Sequence, residues 1–515
     1  MLSFLGFTPS AEILAALQQQ PVGGITLFRA QNVQHPAQVR ALTAALQRAA
    51  AAAGQPPLLL AVDQEGGTLM ALAGGTPFPG NLALGAAGDP ELARRTGYAL
   101  GRELAAMGLN VNYAPVCDVN LNLDNPVVGP RSFGSDPAQV AALSAAVITG
   151  LQAAGVAATA KHFPGHGDTP TDSHYGTPVV GHSAARLRAV EFRPFSAAIA
   201  AGVKLIMTGH VALPALTGDA ALPATRSPAI LNGLLRDQLG FGGVIISDAL
   251  DMAAFTQGDD FGGAAATAAA AGVDLLTLNS VLPAHQAVPA ALLRAAQAGQ
   301  LTPAGIQAAA ARVLALKTWC EQTPQPSLDV VGCAEHLALA RETAARALTL
   351  VRDDAHQLPL DPAAPPRLAV VRPQPADLTP ADTSSYEPLA LAAALRAYAP
   401  QVDEFVLPLN PAASDIAAVR AALLAGAYDR VIVGTLNAVA HPGQGELVNA
   451  LLAEPLPVIA VALRMPHDLL AYPAAPTYVC TYSLVPPALE ALAAALFGQA
   501  PFPGRLPVPL AGVTA

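Results

Sequence analysis

Residues Pro137–His162 read PAQVAALSAAVITGLQAAGVAATAKH. An Ala/Leu-rich stretch of helical period, Pro137–Ala154, runs into a short apolar segment, Val156–His162, that stops on two polar residues. The same unit recurs through the first three hundred residues. Strand candidates are Leu2–Phe7, Gly24–Phe28, Leu58–Asp63, Leu109–Val119, Val156–His162, Lys204–His210, Gly243–Asp248 and Asp274–Asn279, with helical stretches such as Pro90–Met107 and Ser183–Ala201 between them. Strand–helix alternation with continuously apolar strands predicts a parallel sheet, and eight repeats favour a (β/α)8 barrel over an open doubly wound sheet.

The period changes after residue 333. Ala334–Ala347 reads as a long helix, followed by a connection punctuated by Pro359, Pro362, Pro365 and Pro366. Further strand candidates then alternate with helices: Leu368–Val371, Glu404–Leu407, Arg430–Gly434, Val458–Leu463 and Thr477–Tyr482. The expected organisation is an α/β chain with a catalytic barrel domain over 1–333, a helix and Pro-rich connection over 334–366, and a smaller doubly wound α/β domain over 367–515.

Composition narrows the function classes. Of 515 residues, 52% are hydrophobic and 12% charged, enough for large cores and against global disorder. The formal net charge of −10 argues against nucleic acid or an anionic membrane as main partner. Cys117, Cys320, Cys333 and Cys480 show no paired CxxC spacing, which fits a reducing compartment. The start, MLSFLGFTPS, has no basic region ahead of its apolar residues and does not read as a signal peptide. The Ala-rich run Ala264–Val273 reads as a buried helix leading into a strand, not a membrane span. The cytoplasm is the expected address.

Catalytic groups of barrel enzymes sit at the carboxyl ends of the strands. Those ends carry Asp63, Gln64 and Glu65, then Asp118, Lys161–His162, His210, Asp248 and Asn279, with Arg131 in the loop after strand four. The densest segment is KHFPGHGDTPTDSHYG, Lys161–Gly176, where three of the chain's eleven histidines fall: His162, His166 and His174. Metal ligation is the first reading of such a cluster, but Pro164–Gly165 forbids the helix that would align His162 with His166, so no metal or other cofactor is expected. Acid–base chemistry is the second. Asp172 orients His174 and raises its basicity, while Gly165 and Gly167 let the loop move and deliver it. Asp248, at the tip of the apolar strand GGVIISD, is then the candidate nucleophile.

These residues resemble glycoside hydrolase family 3, specifically its bacterial β-N-acetylglucosaminidase (NagZ-like) branch in two-domain form. The resemblance runs from VGGITLF at Val22 to GRLPVPL near the end, and KHFPGHG followed by DSH is its most specific piece. It implies that Asp248 of SDALDM is the nucleophile, that His174 paired with Asp172 is the acid/base, and that Asp63, Arg131, Lys161 and His162 contact the sugar. The implied activity is retaining exo-β-N-acetylglucosaminidase action on a GlcNAc-containing oligosaccharide or muropeptide, as in cell-wall recycling. Phosphorolysis in place of hydrolysis is the nearest alternative. β-Glucosidase chemistry with Glu387 or Glu446 as acid, and non-catalytic sugar binding, are the others. Where the family commonly follows DQEGG with two arginines, this chain has Thr68 and Ala71.

Overall fold

The structure, a computed structural model, describes residues 1–173, 175–256, 260–278 and 283–510. His174 and Asn279 therefore lie outside the described residues.

The first half is a parallel barrel. Strands β1 (Gly24–Thr26) and β2 (Leu59–Val62) are followed by a hairpin, β3 (Gln64–Gly66) and β4 (Leu69–Met70). Then come β5 (Val111–Asn112), β6 (Ala157–Phe163), β7 (Leu205–Thr208), β8 (Val244–Ala249) and β9 (Leu275–Thr277). The parallel ladder runs β1-β2-β5-β6-β7-β8-β9. Between its ends sits the N-terminal segment: Leu2 bridges Ile25 in parallel, and Leu278 N–H donates to the Met1 carbonyl at 3.0 Å. The strand expected over Leu2–Phe7 is thus only its first few residues. The Phe4 carbonyl accepts instead from the Asn32 side-chain amide at 2.9 Å, which draws the chain off the sheet.

Although the strands read as apolar throughout, their side chains divide by parity. Leu59 and Ala61 fill the barrel interior with Tyr113, Met207 and Ile246, while Leu60 and Val62 pack outward under the helices. The helices Pro90–Ala106 and Pro137–Ala153 begin alike, with Asp89 and Asp136 accepting backbone N–H groups and proline at the first turn. The stretch expected as one helix over Ser183–Ala201 is two, Ala184–Ala189 and Phe192–Ala200. The Ala-rich run forms the helix Phe261–Ala271, and no helix among the described residues is long and apolar enough to cross a membrane.

The second sheet comprises β10 (Thr349–Asp353), β11 (Leu368–Pro373), β12 (Val402–Leu407), β13 (Arg430–Thr435), β14 (Val458–Ala462) and β15 (Thr477–Cys480). Its order is β10-β15-β14-β13-β11-β12, parallel except for β10, which runs antiparallel to β15. The five parallel strands follow the 2-1-3-4-5 order of doubly wound sheets. The segment 334–366, expected to be only a helix and connection, therefore contributes an edge strand to this sheet.

The two halves share a core. Leu82, Ala83 and Ala86, on the barrel-domain helix Asn81–Ala87, belong to the same buried apolar cluster as Val433 and Ala460 of the second sheet. The chain returns near its end to seal the joint, with Ser135 N–H donating to the Pro507 carbonyl at 3.0 Å and Arg505 N–H to that of Ala86 at 3.0 Å.

Candidate active site

A cavity of about 520 Å³ opens at the carboxyl ends of the barrel strands, lined by Asp63, Arg131, Lys161, His162 and Asp248 among others. Four sequence-predicted sugar contacts and the predicted nucleophile thus meet in one place. The organiser of the floor is Glu65, whose side chain is only 1% exposed. Arg131 grips it bidentately, Nε and Nη2 donating at 3.0 and 2.7 Å, and Lys161 Nζ reaches it at 2.7 Å and Asp63 at 2.6 Å. Burial opposes ionisation of Glu65, but the Arg131 and Lys161 charges outweigh it and hold the carboxyl at about 2. Lys161 is likewise penalised by burial, yet Asp63 and Glu65 raise it above the usual lysine range. The site carries fixed, mutually neutralising charge with donors left over: Lys161 and the Arg131 fork each retain N–H groups beyond those engaged here.

Asp118, fully buried, holds the next layer. Its carboxylate accepts from His162 Nδ1 at 2.7 Å and from the His166 backbone N–H at 2.8 Å. Burial raises its affinity for a proton, but the His162 and His166 contacts prevail and lower its pKa. With Nδ1 turned to a carboxylate, His162 presents Nε2 as its remaining ring nitrogen. His166 turns the other way, Nδ1 to Thr169 Oγ1 at 2.8 Å and Nε2 to Ser173 Oγ at 3.1 Å, and burial keeps its imidazole below the usual pKa. His210 does not line the cavity. Its ring contacts Thr225 Oγ1 at 2.9 Å and the Ala249 carbonyl at 3.0 Å, beneath the strand end that carries Asp248.

These contacts correct the expectation that Gly165 and Gly167 let the loop move. Phe163, His166, Thr169, Asp172 and Ser173 are all buried, and the Asn125 side-chain amide donates to the His166 carbonyl at 2.8 Å. The loop's anchors at His166, Thr169 and Ser173 are polar. Gly165 has φ of 124°, a conformation that favours glycine. Gly167 answers a different need: a Cβ there would lie 2.0 Å from the Val119 carbonyl oxygen, so the residue permits close backbone approach and not movement.

Asp248 is the last residue but one of β8, and its Oδ1 accepts from Ala249 N–H at 2.8 Å. Asp172 is buried in the loop and is not among the residues lining the cavity, and the adjoining Ser173 carbonyl accepts from Ala254 N–H, on the segment after β8, at 3.3 Å. The loop carrying the predicted acid/base is thereby tied to the segment following the predicted nucleophile. Asp168, His182 and Glu191 bring ligand-type atoms within 4.8 Å of one another. These groups already hold one another, His182 Nε2 with Asp168 at 2.7 Å and Arg186 with Glu191 at 2.9 Å, so a hydrogen-bonded network accounts for the cluster.

The second domain supplies the far wall of the cavity, through Asp377, Thr383 and Tyr386 among others. Thr383 docks on the β3–β4 hairpin, its N–H donating to the Thr68 carbonyl at 2.8 Å and its Oγ1 accepting from Met70 N–H at 2.9 Å. Where arginines were expected from the family pattern, Thr68 forms this joint and Ala71 lines the cavity. Arg29, on the helix Arg29–Asn32 that follows β1, also lines the cavity and donates to the Leu72 carbonyl. Neither Glu387 nor Glu446 is among the lining residues. Glu65 and Asp118 stood in the sequence as polar strand ends without an assigned role. Arg29 and Tyr386 gave no signal there, being meaningful only through the fold.

Residues 1–316 match the family description "Glycosyl hydrolase family 3 N terminal domain". The chain is 36% identical over 373 residues to Beta-hexosaminidase A of Pseudoalteromonas piscicida, covering 67% of this chain and 61% of that one. It is 33% identical to the Beta-N-acetylglucosaminidase/beta-glucosidase of Cellulomonas fimi, over 88% of this chain and 83% of the relative. Among solved structures, the glycoside hydrolase family 3 beta-N-acetylglucosaminidase from Paenibacillus sp. str. FPU-7 superimposes with a TM-score of 0.93 at 38% identity, over 100% of this chain and 98% of the other.

Proposed function

Given that the chain belongs to glycoside hydrolase family 3, we propose that it is a retaining exo-β-N-acetylglucosaminidase with Asp248 as nucleophile and His174 as acid/base. A carboxylate oxygen of Asp248 attacks the anomeric carbon as the bond to the leaving oxygen breaks, and His174 protonates that oxygen. Water, deprotonated by the same histidine, then attacks the glycosyl–aspartate and releases the sugar with retained configuration. A histidine in place of the usual second carboxylate suits both halves of the cycle, because an unperturbed imidazole titrates at ~6.5. Asp172 orients His174. Lys161, Asp63, His162 and Arg131 hold the sugar hydroxyls, the remaining N–H groups of Lys161 and Arg131 acting as donors.

The observation that carries this reading is that Asp248 lines the same cavity as the Glu65-centred cluster of Lys161, Arg131 and Asp63. The substrate is a glycoside with a terminal GlcNAc, from cell-wall or chitin-type material. The test is hydrolysis of a chromogenic GlcNAc glycoside, with and without phosphate, by the wild type and by Asp248→Asn. Wild-type release of free GlcNAc independent of phosphate supports the proposal, and the near-isosteric variant should lose several orders of magnitude. GlcNAc 1-phosphate as the main product assigns the phosphorylase instead. Near-normal turnover by Asp248→Asn moves the nucleophile elsewhere.

A further inference from the structure

A second cavity, of about 600 Å³, opens at the opposite end of the barrel, among the segments that lead into β2, β5 and β6. One of its lining residues is Lys317, near the end of the helix Pro303–Cys320 and only 5% exposed. Lys317 Nζ reaches the Val22 carbonyl at 3.4 Å, and no carboxylate among the described residues pairs with it. Lys161 is the contrast. Burial penalises both amines, but Asp63 and Glu65 raise Lys161, whereas nothing offsets burial at Lys317, which falls to about 8. A buried cation without a counter-ion is costly, and a cavity beside it gives a counter-ion room to enter.

The walls narrow what can enter. Gln47 spends its amide on the Leu58 N–H and carbonyl, Gln55 on the Val22 N–H and the Gln20 carbonyl, and Asn110 on the Leu60 N–H and the Leu58 carbonyl, all at 2.7–3.0 Å. These amides hold the barrel together and leave Lys317 and Arg48 as the charged donors lining the space. Arg48 is exposed at the rim. Glu321 is the only acidic side chain among the described lining residues, so cations outnumber it two to one in a chain of net charge −10. The helices ending at Ala52, Ala106 and Ala153 also turn their negative dipole ends this way. A single ligand charge is therefore matched and a second is not. Ala44, Ala51 and Pro57 supply exposed apolar surface beside it.

We propose that this cavity is a binding site for a small aliphatic monocarboxylate, its carboxylate on Lys317 and Arg48 and its hydrocarbon part against Ala51 and Pro57. The site lies at the far end of the barrel from Asp248 and does not depend on the activity proposed above. The chain has three lysines, Lys161, Lys204 and Lys317, so protein labelled with carbon-13 at the lysine Cε gives one nuclear magnetic resonance signal for each. Lys317→Met, an apolar replacement of a buried charge, identifies the signal of Lys317, and Lys317→Arg does so if the methionine variant fails to fold. Titration with hexanoate at constant ionic strength should move that signal saturably, with half-saturation at ~1 mM, and leave Lys161 in place. Arg48→Ala should raise the half-saturation concentration roughly two- to fivefold. Acetate, shorter by four methylenes, should need at least roughly threefold more than hexanoate. A Lys317 signal unmoved at about 50 mM hexanoate overturns the site, as does a shift confined to Lys161 or Lys204. Equal half-saturation by acetate overturns the apolar contact, and inorganic phosphate acting at lower concentration than hexanoate overturns the single charge.

Discussion

Replacing Glu65 by glutamine tests the organisation of the site most directly. The amide keeps the shape but removes the charge that faces Arg131 and Lys161, and it turns one acceptor into a donor aimed at a cation. Breaking a buried ion pair from one side costs about 3–5 kcal/mol, because the surviving charge stays buried. Linkage gives an independent figure. Lowering the carboxyl from 4.5 to about 2 corresponds to ~3 kcal/mol at 1.36 kcal/mol per unit. The sign follows from the direction of the shift: the contribution is complete above the unfolded value of 4.5 and disappears as pH falls towards 2. The deficit of Glu65→Gln should therefore be constant between pH 8 and pH 5 and narrow below that. In thermal unfolding it should appear as a fall of roughly 3–5 °C in Tm, at an unfolding entropy of ~2.1 cal/mol/K per residue over the 515-residue chain. A Tm within about 1 °C of wild type at pH 7 would refute the argument, since no buried ion pair of this kind leaves its partners so cheaply.

His174→Ala should lose ~10²–10⁴ in rate on a sugar leaving group and much less on a nitrophenolate, whose oxygen needs little protonation. His162→Ala, which removes a histidine that lines the cavity, should show no such dependence on leaving group in the same assay. The reverse pattern would assign proton transfer to the Asp118–His162 pair. Gly167→Ala should destabilise the protein by ~1–3 kcal/mol in urea unfolding, because its methyl meets the Val119 carbonyl, and should lower kcat through the displaced loop.

The sequence made the barrel legible because repetition is a robust signal: each of its later strands lies where an apolar run ends in a polar residue. The inner strands of the second sheet, β11, β13, β14 and β15, were equally readable, since parallel strands buried on both faces are uniformly apolar. The edge strand Thr349–Asp353 was not, as its Arg352 and Asp353 break that uniformity beside a proline-rich stretch. At the site, Lys161, His162, Asp63 and Asp248 were found by their position at strand ends, and Arg131 by its place in the loop after strand four. The roles of Glu65 and Asp118 required partners distant in sequence, Arg131 and His162, and pairing across 66 and 44 residues has no local pattern. The anchoring of the loop that Gly165 and Gly167 were expected to set in motion was hidden for a related reason. Its hydrogen bonds to Asn125 and Asp118 join residues distant in sequence.

The core shared between Leu82, Ala83 and Ala86 and the second sheet makes the active-site wall a property of two folding units at once. The distance from Asp248 to Tyr386 is set by how those units sit together, so packing defects far from any sugar propagate into the width of the cavity. A truncation at Val433, buried in the middle of the second sheet, would thus be felt first as poorer discrimination among leaving groups, while hydrolysis of small glycosides and the barrel itself persist. In such an enzyme, selection for substrate choice acts on an interior that no substrate ever reaches.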